Sequence, residues 1–245
     1  GIMPWVFKRP WPTVGVQFVD GDDNPGFPYY ALQNSYKNIN VCWCQNWSIV
    51  KTGEEIPLVV KTLNDDSIDL SDHEITLTLY NPDFTICKEY TASYSDTVDF
   101  GTFTIPESFR NKCFIVSADI TLNGVCINRS TYFNKCTGIL DNPDTFKKYR
   151  TEPSDNFYFE NGPFLKEEIS KANKTELTAK LLNKGTDGNY NYADIEITNI
   201  SDVAAFPVTI SMKDESKRFF LSDNFFLLKG NEKKTVRITC DKGEA

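Results

Sequence analysis

One histidine, two methionines and no apolar run longer than four residues mark this chain of 245 residues. A membrane-crossing helix needs about 20 consecutive apolar residues, so none is expected and no membrane partner is read. The motifs G-x-S-x-G, H-E-x-x-H, G-x-x-x-x-G-K and G-x-G-x-x-G are all missing. Their absence removes the nucleophile-elbow, zinc-protease, phosphate-loop and dinucleotide readings. Basic residues are in deficit, 26 against 34 acidic ones, for a formal charge of −8. Phosphate neutralisation needs a basic footprint, so no nucleic acid partner is expected. Gly1-Ile2-Met3-Pro4 opens without a basic stretch leading into an apolar one, so no secretion signal is read in this chain.

Metal and cofactor candidates are equally thin. Seven cysteines stand at 42, 44, 87, 113, 126, 136 and 240, with no C-x-x-C among them. Cys42 and Cys44 share one face of a strand but would need further ligands from elsewhere, and His73 is the one imidazole. An odd count argues against a complete disulfide framework, leaving room for one or two bridges. The cysteines are read as small buried apolar residues. In the stretch Asp20–Gly26, Asp20, Asp22 and Asn24 fit calcium-loop positions, but Pro25 replaces the required glycine and Ala31 the bidentate glutamate. A turn is the reading there. Asn64–Asp72 fails the same test and reads as a solvated loop between strands. No cofactor and no metal is expected.

What the chain does have is aromatic residues, 13% of the total, and strand rhythm. Residues 1–40 carry prolines at 4, 10, 12, 25 and 28, one strand over Thr13–Val19 (Val14, Val16 and Phe18 on one side) and a short helix over Pro28–Tyr36. Tyr29, Leu32 and Tyr36 are predicted to share that helix's buried face. Within residues 41–138, Ile56–Leu63, Glu74–Tyr80, Thr97–Ile105, Cys113–Leu122 and Val125–Tyr132 alternate as strands, with Asn123-Gly124 as a hairpin turn. Strands at this spacing, with no helix between them, predict an antiparallel immunoglobulin-like sandwich. Residues 139–170 read as a structured linker lying along a domain surface. Strand rhythm returns over Glu176–Leu182, Tyr192–Thr198, Phe206–Met212, Phe225–Leu228 and Lys234–Cys240, predicting a second, smaller sandwich over 171–245. The fold class is therefore all-β.

Catalytic candidates are absent. Asp and Glu are plentiful, but none sits where its pKa would rise predictably, and solvated charge on sheet faces is the simpler reading. Trp43 and Trp47 are the carbohydrate-stacking candidates, since flat rings cover apolar sugar faces. Core packing is the competing role for both.

The order of elements adds a resemblance. Trp5-Val-Phe-Lys-Arg-Pro-Trp-Pro-Thr-Val-Gly-Val-Gln-Phe-Val-Asp20 followed by Pro28-Tyr-Tyr-Ala-Leu-Gln-Asn-Ser-Tyr36 resembles the last strand and helix of the catalytic (β/α)8 barrel in glycoside hydrolase family 2, in its β-mannosidase and exo-β-glucosaminidase branch. Ile197-Thr-Asn-Ile-Ser201, Ala205-Phe206 and Leu221–Val236 are similar to that branch's final sandwich. The motifs cover the two ends of the chain, and the middle matches in architecture alone.

The resemblance implies a retaining glycosidase whose two Glu residues, about 5 Å apart, lie upstream of Gly1, so that no residue of this chain is catalytic. It implies Trp11 and Arg9 as substrate-edge candidates, Lys8-Arg9 being a departure from the usual polar, amide-bearing segment. Expected partners are carbohydrate through the parent enzyme, the catalytic barrel of the same protein, and a second copy in a homodimer through the exposed barrel-remnant face. That face is expected to pack on the first sandwich or on such a copy. Family habit implies a periplasmic or secreted location. The alternatives are a free-standing carbohydrate-binding module and a structural β-sandwich protein. Four Asn-x-Ser/Thr sequences, at Asn46, Asn128, Asn173 and Asn199, carry no weight on sequence grounds.

Overall fold

Along Glu55–Asn64 every second side chain from Ile56 to Thr62 is buried, the period-2 signature of a strand with one face on a core. The structure, a computed structural model, describes residues 7–8, 18–21, 23–152, 172–211 and 219–242. In chain order the elements are α1 (Phe27–Ser35), β1 (Ile39–Trp43), β2 (Ile49–Val50), β3 (Glu55–Asn64), β4 (His73–Tyr80), β5 (Ile86–Ser93), β6 (Thr97–Thr104), β7 (Lys112–Leu122), β8 (Val125–Cys136), α2 (Pro143–Thr151), β9 (Leu177–Asp187), β10 (Tyr190–Asn199), β11 (Ala205–Val208), β12 (Phe220–Leu221), β13 (Phe226–Leu228) and β14 (Lys233–Asp241). The chain divides into two compact units. One is Lys37–Lys174, and the other combines Gly1–Tyr36 with Thr175–Ala245.

In the first unit a three-stranded sheet, β1-β3-β6, and a five-stranded sheet, β2-β8-β7-β4-β5, share one core. Val41, Trp43, Leu58 and Val60 come from the smaller sheet, and Ile75, Leu77, Leu79, Phe114, Val116 and Ile120 from the larger. Tyr90 of β5 and Phe100 of β6, with ring centroids 5.6 Å apart, lie tilted against each other across neighbouring sheet edges. Asn123 and Gly124 both take positive φ, 50° and 77°, the geometry of a two-residue hairpin turn whose twist matches its strands. β4 and β7 are buried on both faces. Their outward polar side chains are matched across strands: Thr76 with Thr91, Thr78 with Glu89, and Asp119 with Arg129 through two bonds of 2.7 and 2.9 Å.

Helix α2 lies within the stretch 139–170 that the sequence marks as a structured linker. Asn142 caps it by accepting from the backbone N–H groups of Asp144 and Thr145, both at 3.0 Å. Pro143 stands at the first helical position, Asp144 lies in the first turn, and Lys148 and Arg150 lie in the last. Each of these is a recognised helix signal. Asn-Pro-Asp is also turn chemistry, so the same three residues carry two local signals. Phe157, Tyr158, Phe159 and Phe164 lie outside the described residues.

The second unit holds a four-stranded sheet, β12-β14-β10-β9, and the pair β11-β13. Ile197, Val208, Leu221, Phe226, Leu228 and Val236 form its core, and Tyr30 of α1 belongs to it. Two expectations are corrected here. The helix buries Tyr30, with Tyr29 beside it, while Tyr36 is exposed. In a nine-residue helix opening Phe-Pro-Tyr-Tyr-Ala-Leu, successive apolar residues fit several faces equally, and the docking partner chooses. That partner is the C-terminal core rather than the first sandwich. Val14 and Val16 lie outside the described residues. β9, at the sheet edge, exposes both faces, with Lys180 and Lys184 among Leu177, Leu181 and Leu182; lysines on an edge discourage further strand pairing.

Candidate functional site

Trp43 ends β1, and the turn Cys44–Ser48 carries the chain to β2. This route sets Trp43, Gln45, Asn46, Trp47, Glu54 and Glu55 around a depression of about 30 Å3. Two or so water molecules fill such a space, whereas small-molecule sites run to several hundred Å3. Trp43 is 4% exposed. Its indole Nε1 donates to the Pro57 carbonyl at 2.7 Å, and its ring meets Tyr132 edge-on at 5.5 Å. The Tyr132 hydroxyl accepts from the Trp43 backbone N–H at 3.0 Å, and burial pushes that phenol up to about 12. Trp43 therefore presents no free face for a sugar.

Trp47 is half-buried and held from the other side. Its ring lies 5.2 Å from that of Tyr149 on α2. The Arg150 guanidinium sits 4.8 to 4.9 Å from the rings of Trp47, Phe146 and Tyr149. Arg150 also donates to Glu54 at 2.5 Å and to the Ile49 carbonyl at 3.2 Å. The second Glu54 oxygen accepts from the Lys51 N–H at 3.0 Å. The cluster uses up both carboxylate oxygens and the aromatic faces to fasten α2 onto the sheet, with Ile49 and Leu140 beneath it.

Among the described residues no three of His, Cys, Asp and Glu converge as metal ligands. No disulfide joins the described cysteines. Burial, then Cys44, pushes the Cys42 thiol up, and burial pushes Cys136 up to about 12, so neither is a thiolate ready to bind or attack. Asp20 accepts from the Asn24 backbone at 2.8 Å and from its side chain at 3.2 Å. That closes the loop as a turn. Trp11 and Arg9 lie outside the described residues. No described helix is long and apolar enough to cross a membrane.

Sequence reasoning passed over two asparagines as working parts. Asn199, fully buried at the end of β10, donates through Nδ2 to the carbonyls of Val203, Leu228 and Lys229 at 2.8, 3.2 and 3.0 Å, and accepts from the Ser201 N–H at 3.0 Å. Asn224 donates to the Ile210 carbonyl at 3.1 Å and accepts from the Ile210 and Phe225 N–H groups at 2.8 and 3.0 Å. Both pin irregular backbone around the short pair β11-β13, where ladder bonds are few. Asn-x-Ser and Ser-Asp-Asn next to strand patterns were the available signal, since such side chains bond nearby backbone readily.

Residues 174–245 match an Ig-fold domain of the Ig_mannosidase type. No curated protein matches. Among solved structures, the exo-beta-D-glucosaminidase CsxA in an inhibitor study is 17% identical over 100% of this chain, with a TM-score of 0.68. The Amycolatopsis orientalis exo-chitosanase CsxA is 16% identical over 97% of it, at 0.65. These similarities establish a shared fold. The chain spans 28% and 27% of the length of those two chains.

Proposed function

We propose that this chain is the non-catalytic C-terminal β-sandwich region of a retaining glycoside hydrolase acting on β-mannosides, β-glucosaminides or related β-glycosides. In this reading the catalytic barrel precedes Gly1. The segment up to Tyr36 is the last strand and helix of that barrel, and two immunoglobulin-like sandwiches follow. One observation carries the reading: the whole chain aligns with little more than a quarter of an exo-beta-D-glucosaminidase at a TM-score of 0.68. The Ig-fold match over 174–245 supports it at the far end, and the seating of Tyr30 in the C-terminal core supports a barrel-end helix held by the last sandwich. The sandwiches buttress the barrel, Trp43 and Trp47 serve their packing, and Trp11 and Arg9 lie at the edge of the substrate cleft. The parent enzyme is secreted or periplasmic, since polymeric glycans are met outside the cytoplasm.

The test uses aryl glycosides. This chain alone is expected to release no nitrophenol from β-mannoside, β-glucosaminide or β-galactoside substrates. The full reading frame, including its upstream sequence, is expected to release it from at least one. Turnover by this chain alone, or an upstream frame that encodes no pair of Glu-bearing barrel strands, overturns the assignment. Titration with mannan and chitosan oligomers is expected to leave Trp43 and Trp47 fluorescence unchanged.

A further inference from the structure

The four Asn-x-Ser/Thr sequences are alike in sequence and differ sharply in the fold. Asn46 is exposed in the Cys44–Ser48 turn, with Ser48 two residues on. Asn173 is exposed in the irregular residues just before β9, with Thr175 two residues on. Asn128 is 2% exposed in the body of β8, opposite the core residue Ile120. Asn199 has no exposed surface, and its Nδ2 serves the three carbonyls described above.

We infer that Asn46 and Asn173 are N-glycan acceptors of the folded chain and that Asn128 and Asn199 are not. The inference rests on the extracellular routing in the proposed function. Transfer joins the asparagine Nδ2 to C1 of an oligosaccharide carried on a polyprenyl diphosphate. The C1–O bond to that carrier breaks, the diphosphate leaves with the bonding electrons, and the nitrogen gives up one proton to the transferase. An asparagine so modified keeps one N–H and gains a bulky polar group, which is why acceptors belong on surface loops. Asn46 and Asn173 can carry the group without moving any backbone bond. At Asn199 the modified nitrogen would lose a donor from the clamp and force a sugar into a site with no space. At Asn128 the sugar would sit where the strand meets the core. A chain modified at either position cannot close its sheet, so folded protein bearing such a glycan is not expected. Asn46 also borders the Trp43–Trp47 depression, so a glycan there would cover it.

The test is site mapping on the whole chain, secreted from glycosylating cells behind a leader peptide. Amidase release of glycans in heavy-oxygen water marks each formerly occupied asparagine. The expected marks in soluble protein are at Asn46 and Asn173, with Asn46→Gln and Asn173→Gln each removing one step of gel mobility while cooperative unfolding persists. Marks at Asn128 or Asn199 in soluble, cooperatively unfolding protein overturn the inference, as do bare Asn46 and Asn173. The same mapping on protein from its natural source separates the two readings. Bare asparagines there, with Asn46 and Asn173 marked in the secreting cells, support the acceptor geometry and count against the routing alone.

Discussion

Replacing Asn199 by Ala removes every side-chain bond between the end of β10 and the backbone of Val203, Leu228 and Lys229. It also frees the Ser201 N–H. An amide has two protons, so it satisfies about two of the three carbonyls fully at any moment. A buried backbone group left without a partner costs about 1–3 kcal/mol. Leu228 has no exposed surface and Lys229 is partly open, so water can relieve the second carbonyl but not the first. The sum is about 3–4 kcal/mol, a large share of the 5–15 kcal/mol typical of a domain. Hydrogen exchange read by mass spectrometry suits a chain of two units, because it assigns the loss to a place. Amides of β10, β13 and β14 are expected to exchange about 100- to 700-fold faster in the variant, since each 1.4 kcal/mol is tenfold. Those of β3, β4, β7 and β8 are expected to keep their protection. Asn199→Asp, the same size but without the donors, is expected to exchange at least as fast as the alanine variant. Acceleration below tenfold, or an aspartate variant that matches the parent chain, would refute the clamp.

Three further outcomes follow from the packing. A Cβ on Gly230 would stand 2.4 Å from the Asp202 carbonyl oxygen and 2.6 Å from its carbon. Backbone must then move, and Gly230→Ala is expected to lose about 2–3 kcal/mol in urea unfolding, whereas Gly188→Ala, with nothing within 4 Å but a positive φ, is expected to lose about 1 kcal/mol. Arg150→Ala leaves Glu54 without its cation and strips the rings of Trp47, Phe146 and Tyr149; with side chains 13% and 15% exposed, the loss is expected near 2–4 kcal/mol, read as faster proteolysis at α2 and a shifted Trp47 emission. Cys136, pushed up to about 12 by burial, exists almost wholly as thiol at pH 8. Ellman's reagent is therefore expected to leave Cys136 and the buried Cys113 unreacted in folded protein at that pH and to titrate all seven thiols after unfolding.

How much of this was legible beforehand depended on the length scale of the signal. The long strands β3, β4, β7, β8 and β10 announce themselves, because runs of β-branched, apolar and aromatic residues bounded by polar turns have one common explanation. The hairpin at Asn123-Gly124 does so too, since two consecutive positive φ values demand those residue types. Short or irregular elements do not. β2 and β12 are two residues each, too short for any period, and β5 mixes exposed and half-buried positions without a dry face. Asn142-Pro143-Asp144 carries a complete helix start that also spells a turn, and only the ring of Tyr149 seated on Ile49 and Leu140 decides between them.

The candidate site divides in the same way. Residue types and their spacing alone showed that the phosphate-loop, dinucleotide and nucleophile-elbow motifs are missing from this sequence, because each of those motifs is written in particular groups at particular spacings. Which aromatics face water is a different kind of fact. Trp43 and Trp47 lie four residues apart and look equivalent, yet one is sealed beneath Pro57 and Tyr132 while the other lies against Arg150. Four sequences of the one pattern Asn-x-Ser/Thr likewise become two buried and two open positions. Local sequence determined backbone preference, charge and available chemistry, since these reside in each residue and its near neighbours. Exposure depends on segments a hundred residues away arriving at the same place, so tertiary packing alone decided which of those side chains remain able to meet anything outside the chain.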